Sequence, residues 1–221
     1  MGKADALQGL PFFEKLSDVQ RQWLEQDTYQ KHYDRGAMLH DNHSECLGMV
    51  IVASGRLRTV MQSIDGREVT LYSLEPGDVD PLTASCVISQ LTFDTSLVAD
   101  ASSTVFVIPS RTLKRLEQEN IYVHSYVYEL TAARFSDAMW ALQQVLFLTA
   151  EQRVANGLLD EYARTDDPHI HLTQEQIAKN ISSAREVVSR SLKRMEQDGV
   201  IKISRGCIEL LDYSALNALA G

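Results

Sequence analysis

Apolar residues change their spacing three times along this chain. Over residues 7–25 they fall at helical intervals, at Leu7, Leu10, Phe13, Leu16, Trp23 and Leu24. Ser17 has the chemistry and the place of an N-cap for a second short helix. From about residue 28 to 108 the texture becomes short β-branched runs: AMLH, LGMVIVASG, LRTVMQS, EVTLYSL, TSLVAD and TVFVIP. Arg35-Gly36, Ser54-Gly55, Asp65-Gly66 and Pro76-Gly77 punctuate them. Six to eight short strands at that spacing predict a β-sandwich or jelly roll. Asp65-Gly66 is the strongest hairpin signal, because a type I′ turn needs φ > 0 at both central residues.

After Pro109 the period is helical again. SRTLKRLEQEN predicts a short helix and residues 120–148 a longer one. Along the longer one Val123, Val127, Leu130, Arg134, Asp137, Ala141, Gln144 and Leu148 recur every three or four residues. A second row runs Tyr126, Leu130, Ala133, Trp140 and Phe147. Two partly apolar stripes predict two burial partners, the β domain and a second copy of the helix. A single core helix without a dimer is the plainer alternative.

From Thr149 to about Val200 the chain is mostly helical. Thr149, followed by Glu151-Gln152, caps AEQRVANGLLDEYAR, TDDP ends that helix, and Thr173 with Gln176 forms a capping box for the next. A helix over about 174–180 turns Ile177 and Ala178 inward, NISS is a turn, and a second helix is predicted to begin near Ser183. That second helix carries Val187, Val188, Leu192 and Met195 on its apolar side, and the hairpin VIKIS-RG-CIEL closes the unit. Small Ala178 allows the close helix approach of a helix-turn-helix. Ser182, Ser183, Arg185, Glu186, Ser189 and Arg190 are predicted in the first two turns, opposite the apolar positions.

Those residue types suit a DNA groove. Arg bonds a guanine edge bidentately, Glu accepts from cytosine N4, and Ser bonds a base or a phosphate. Lys193, Arg194, Lys202 and Arg205 are candidates for phosphates. The overall charge of −9 argues the other way, but its distribution matters more. Residues 1–148 carry −7, whereas residues 172–206 hold seven basic against four acidic residues. A basic segment on an acidic body can still bind phosphate, because its field decays over a Debye length of about 10 Å. Three widely spaced cysteines (Cys46, Cys86, Cys207) offer neither a disulfide framework nor a CxxC zinc pair. With no signal-peptide pattern and no long apolar run, a soluble cytoplasmic protein away from membranes is expected.

From about Tyr29 to Leu211 the chain resembles the Crp/Fnr family of bacterial transcription regulators. RGAMLH, LGMVIVASGRLRT, DGREVTLYSLEPGD and TVFVIPS resemble its β-roll, and LTQEQIA with SSAREVVSRSLKRMEQDGVI resembles its helix-turn-helix. The resemblance implies an α+β protein: a cyclic-nucleotide-binding-like sensor domain over 1–119, a dimerisation helix over 120–148 and a winged helix-turn-helix over 149–221. It implies a homodimer on a pseudo-palindrome of double-stranded DNA, with Arg185, Glu186 and Arg190 at its base-contacting positions. Ser183, Ser189, Lys193 and Arg205, read from their own chemistry, complete the candidate DNA-binding set. Glu186, Ser189 and Arg190 resemble the E-x-x-S-R pattern of the Fnr branch, which implies a TTGA-type half-site. Activation would also need a surface for RNA polymerase, which no short motif identifies.

PGDVDPLTASC at 76–86 departs from the family's phosphate cassette. Its Gly-Glu positions fall on Pro81 and Leu82, and its arginine falls near Phe93, with Asp94 beside it. A buried phosphate without that cation is expensive, so cyclic nucleotide binding is not expected. The effector stays open between a small apolar molecule and a redox signal at Cys86. The pocket residues would be Leu82, Cys86, Val87, Phe93, Tyr126, Tyr128 and Trp140. Haem at Cys86 or a histidine lacks any diagnostic spacing, and the family's iron–sulfur sensors need N-terminal cysteines absent before Cys46. Cys86 as a small buried hydrophobe is the plainer alternative. A cupin-type metal enzyme using His40, His43 and Glu45 is disfavoured, since residues three apart on a strand face opposite ways. His169 and His171 are expected at the exposed ends of a short strand, not as ligands.

Overall fold

The computed structural model describes residues 1–40, 47–63, 68–84 and 95–221. The described residues form two compact units, one within Met1–Gly66 and Leu71–Met139, the other within Arg67–Thr70 and Trp140–Gly221.

The first unit opens with helices α1 (Lys3–Gln8) and α2 (Asp18–Asp27). Ser17 caps α2, and its hydroxyl accepts from Gln20 N while Gln20 Oε1 accepts from Ser17 N. Such a reciprocal cap is worth about 1 kcal/mol. Eight strands follow: β1 (Tyr29–Tyr33), β2 (Met38–His40), β3 (Met49–Ser54), β4 (Leu57–Gln62), β5 (Glu68–Leu74), β6 (Val79–Asp80), β7 (Ser96–Ala99) and β8 (Ser103–Ile108). They make two four-stranded sheets, ordered β1-β8-β3-β6 and β2-β7-β4-β5. The predicted turn at Asp65-Gly66 lies outside the described residues.

Strand β3 reads MVIVA without alternation because both of its faces are covered. Met49 and Ile51, with their partners Ile108 and Phe106, face a cluster built from Leu7, Phe12, Leu24, Leu113 and Leu116. Val50 and Val52, opposite Val107 and Val105, point the other way and are equally buried. Edge strand β1 is mostly polar and exposed, which keeps that edge from pairing with other chains.

Helix α3 (Ser110–Glu119) leads into the long helix α4 (Ile121–Phe147). Val123 and Val127 enter the core of the first unit, with Tyr126 and Leu130 packed against it. Members of both rows read from the sequence therefore turn inward over this half of α4, although Ala133 is exposed. In the C-terminal half of α4, Trp140 and Phe147 of the second row are exposed. A different row lies open on α4: Tyr128, Ala132, Phe135, Met139 and Leu146 are exposed and Leu142 is half-buried. These six alternate at four and three residues, the seam spacing of a two-stranded coiled coil.

The second unit contains α5 (Ala150–Thr165), β9 (His169–Ile170), α6 (Gln174–Asn180), α7 (Arg185–Gln197), β10 (Ile201–Ser204), β11 (Cys207–Leu210) and α8 (Tyr213–Ala220). Thr149 and Thr173 cap α5 and α6 through boxes with Gln152 and Gln176. Asp166 ends α5 in the left-handed conformation, at φ 53°. The strands form one antiparallel sheet in the order β10-β11-β9, and His169 lies exposed in β9. Val154, Leu158, Ile177, Val188, Leu192 and Met195 close the core.

Candidate nucleic-acid interface and sensor site

Helices α6 and α7 meet through a tight turn. Ile181 N donates to Ile177 O and Ser183 N to Ala178 O, and Ser182 takes φ 52°. Gly157 of α5 lies against this turn, where an added Cβ would stand 3.0 Å from Ile181 Cγ2. A bulkier residue there would wedge the turn away from α5, a constraint with no local signal in the sequence.

Helix α7 begins at Arg185, not near Ser183. Ala184 is its N-cap and makes no side-chain cap, while Ser182 and Ser183 belong to the turn. The first two turns of α7 thus present Arg185, Glu186, Ser189 and Arg190, and Lys193 follows one turn on. At 100° per residue these five span an arc of about 140°. Val188, Leu192 and Met195 hold the buried side, and Val187 is half-buried between the two.

The exposed face carries charges with nothing to hold them. Among the described residues, the side chains of Arg185, Glu186, Arg190, Lys193 and Arg205 make no hydrogen bond or ion pair. Their basic neighbours differ: Arg194 Nη1 lies 3.4 Å from Glu151 Oε2, and Lys202 Nζ lies 3.9 Å from Glu209 Oε2. Both pairs are exposed and worth little, so these two cations are steadied without being buried. Arg205 sits at the hairpin turn between β10 and β11, where Gly206 takes φ 78°. Glu196 Oε1 accepts from Ile203 N at 2.8 Å, which fastens β10 to the end of α7 and fixes where that turn projects.

In the first unit, Gly77 turns the chain at φ 100°, and Asp78 N donates to Glu75 O at 2.9 Å. Strand β6 follows at once, then buried Pro81 and a single 3-10 turn, Leu82–Ala84. The pocket expected from the sequence does not assemble from its described members. Leu82 is buried in the core. Tyr126 packs edge-on against Phe12, with ring centroids 5.3 Å apart, while Tyr128 is exposed with its ring 4.6 Å from that of His124. Residues two apart on a helix differ by about 200°, so the two tyrosines cannot line one pocket of one chain. Cys86, Val87 and Phe93 lie outside the described residues, as do Asp94, His43 and Glu45. No group of three or more metal-binding side chains occurs among the described residues.

The described residues hold a buried ionic cluster there instead. Asp80 is 1% exposed, accepting from Tyr72 Oη at 2.8 Å and from Thr83 N at 3.1 Å. Burial pushes its carboxyl above the ordinary range, against the pull of those hydrogen bonds and of Arg134. Arg134 of α4 stacks 4.9 Å from the Tyr72 ring centroid, donates to Val79 O at 3.1 Å and pairs with Asp137 at 3.1 Å. The sequence places Arg134 and Asp137 within an apolar row but does not show what faces them. A charged pair in such a row, and an aspartate between Val79 and Pro81, are the only signals it offers.

The cyclic nucleotide-binding domain family matches residues 30–120 and the Crp-like helix-turn-helix domain family matches residues 152–219. A solved transcriptional regulator of the Crp/Fnr family from Eubacterium rectale is 33% identical, covering 96% of this chain and 99% of that one, with a TM-score of 0.87. The chain belongs to the Crp/Fnr family. FixK2 from Bradyrhizobium japonicum shares the fold at 19% identity, covering 88% of this chain and 98% of that one, with a TM-score of 0.71. The Cyclic AMP receptor protein of Thermus thermophilus is 23% identical over 214 residues, 97% of this chain and 98% of that protein. This Crp/Fnr protein is thus a transcription regulator with a DNA-binding helix-turn-helix, not an enzyme. No described helix is long and apolar enough to cross a membrane.

Proposed function

We propose that the chain works as a homodimer that reads a pseudo-palindromic operator with α7 and is controlled by an effector other than cyclic AMP. The observation that carries the reading is the unpaired, exposed array Arg185, Glu186 and Arg190 on one face of α7. Charges held by no intramolecular partner are free to bond base edges without first breaking a bond. Ser183 and Ser189 flank them, and Lys193 and Arg205 supply phosphate contacts. Residues 149–221 are the DNA-binding domain, residues 120–148 the dimerisation helix and residues 1–119 the sensor.

The exposed seam of α4 supports the dimer. Tyr128, Phe135, Met139 and Leu146 expose between 46% and 72% of their surface. Each large apolar side chain buried against a second copy would return about 1.5–3 kcal/mol. For the effector, the Gly-Glu positions of the phosphate cassette are taken by Pro81 and buried Leu82. A proline has no N–H to offer a phosphate. The Thermus relative is called a cyclic AMP receptor; this chain's residues do not favour that ligand.

Selection from randomised duplex DNA with the full-length protein tests the reading. The expected product is an inverted repeat of TTGA-type half-sites whose centres lie about 34 Å apart. Enrichment of sites without two-fold symmetry would overturn it. Cyclic AMP added to the selected complex should leave affinity unchanged, and a marked rise would reject the effector assignment.

A further inference from the structure

Asp80, Tyr72 and Arg134 take no part in reading DNA, yet they join three elements of the sensor unit. Tyr72 comes from β5, Asp80 from β6 and Arg134 from the middle of α4, 54 residues further on. Both carboxylate oxygens of Asp80 are used as acceptors, by Tyr72 Oη and Thr83 N. Thr59 Oγ1 of β4 is buried beside the same tyrosine hydroxyl, within its electrostatic reach. A buried hydroxyl at the end of a hydrogen-bonded chain offers the tyrosine a second acceptor.

That arrangement follows from the inventory of donors and acceptors. A proton taken from solvent onto Asp80 Oδ1 turns that oxygen from acceptor to donor, toward the oxygen of Tyr72. The Tyr72 O–H then swings to Thr59 Oγ1, which can accept it. The carboxylate charge facing Arg134 is gone in this state. Arg134 keeps Asp137 on its own helix, and Tyr126, whose ionisation its charge also favours, is neutral in both states. Among the described residues, the groups that meet Arg134 from the β strands are then Tyr72 and the Val79 carbonyl.

We propose that Tyr72, Asp80 and Arg134 form a proton-operated latch between strand β6 and helix α4. With Asp80 ionised the guanidinium is held against the β-roll, and with Asp80 neutral the middle of α4 is released. The latch rests on the reading of α4 as the dimer helix for its consequence, a changed separation of the two α7 helices, but not for its existence. Burial raises the Asp80 carboxyl above its ordinary range, so it takes up a proton at higher pH than an exposed aspartate does.

Hydrogen–deuterium exchange of the full-length protein tests it without any DNA. Protection of amides 130–138, corrected for intrinsic exchange, should fall at least about fivefold between about pH 7.5 and about pH 5.5. Asp80→Asn should give low protection at both pH values, and Tyr72→Phe, which removes a single oxygen, should flatten the response. Equal protection at both pH values in the unaltered protein would overturn the latch. So would a pH response that survives unchanged in Asp80→Asn, or in Tyr72→Phe should Asp80→Asn fail to fold. Failure to select a symmetric operator would reject the DNA reading and leave this result standing.

Discussion

Arg190 and Arg134 are the same residue type on two helices of one chain, and their surroundings are opposites. Arg190 is exposed and unpaired, on an α7 face where Arg185, Glu186 and Lys193 are equally free. Arg134 is largely buried, stacked on Tyr72 and bonded to Val79 O and Asp137. The free set is poised for a partner outside the chain, since nothing inside has claimed its hydrogen bonds. The held set acts within the molecule, because its guanidinium is largely buried and both of its terminal nitrogens are bonded inside the chain. Charge alone distinguishes neither; what each guanidinium is bonded to does.

The strongest way to break this contrast is to remove what brings two α7 helices together. Phe135→Asp places a carboxylate in the exposed seam of α4 and should abolish the dimer in analytical ultracentrifugation. Operator affinity should fall by at least about a hundredfold with it, since each half-site would then bind alone. A Phe135→Asp protein that stays dimeric would exclude this seam as the interface. Next in size, Lys193→Ala should weaken binding to all sequences alike. It should also reduce the slope of log affinity against log salt by about one for each phosphate no longer neutralised. A loss confined to the operator would make Lys193 a base reader instead.

The held set gives a pH-dependent prediction. The carboxyl of Asp80 is raised in the folded state above its ordinary 3.8, so the native protein binds that proton more tightly than the unfolded chain does. Its stabilising contribution is therefore complete below the ordinary carboxylate range and is lost as pH rises through the raised value. The melting temperature of the unaltered protein minus that of Asp80→Asn should shrink steadily with rising pH. A difference that grows would mean that Arg134 and the hydrogen bonds outweigh burial. The smallest effect concerns the uncapped end of α7. Ala184→Asp should stabilise the helix-turn-helix unit by about 0.5–1 kcal/mol in thermal melts, by capping free N–H groups and opposing the helix dipole. It should also weaken operator binding, because a carboxylate would stand where DNA phosphates approach.

The two regions are not equally legible in the sequence. Caps at Ser17, Thr149 and Thr173 can be read because each box closes within four residues. The strands show themselves through β-branched runs, and α7 through its polar and apolar arcs. Its first residue is not legible, because Ala184 makes no cap and leaves no local signal for the boundary. Tyr126 and Tyr128 read as one pocket because an aromatic cluster in a sequence carries no phase until the helix is docked. The exposed row of α4 is hidden by the two inward rows, which match the same period. Tyr72, Asp80 and Arg134 lie too far apart in the chain for any spacing rule, and only the folded β-roll brings them together.

The most direct test of the DNA reading is the affinity of Arg190→Ala for the selected operator and for an unrelated duplex of equal length, by fluorescence anisotropy at fixed salt. The expected result is a loss of about 1–3 kcal/mol per half-site on the operator, with much less change on the unrelated duplex. Operator binding unaffected by Arg190→Ala would contradict it.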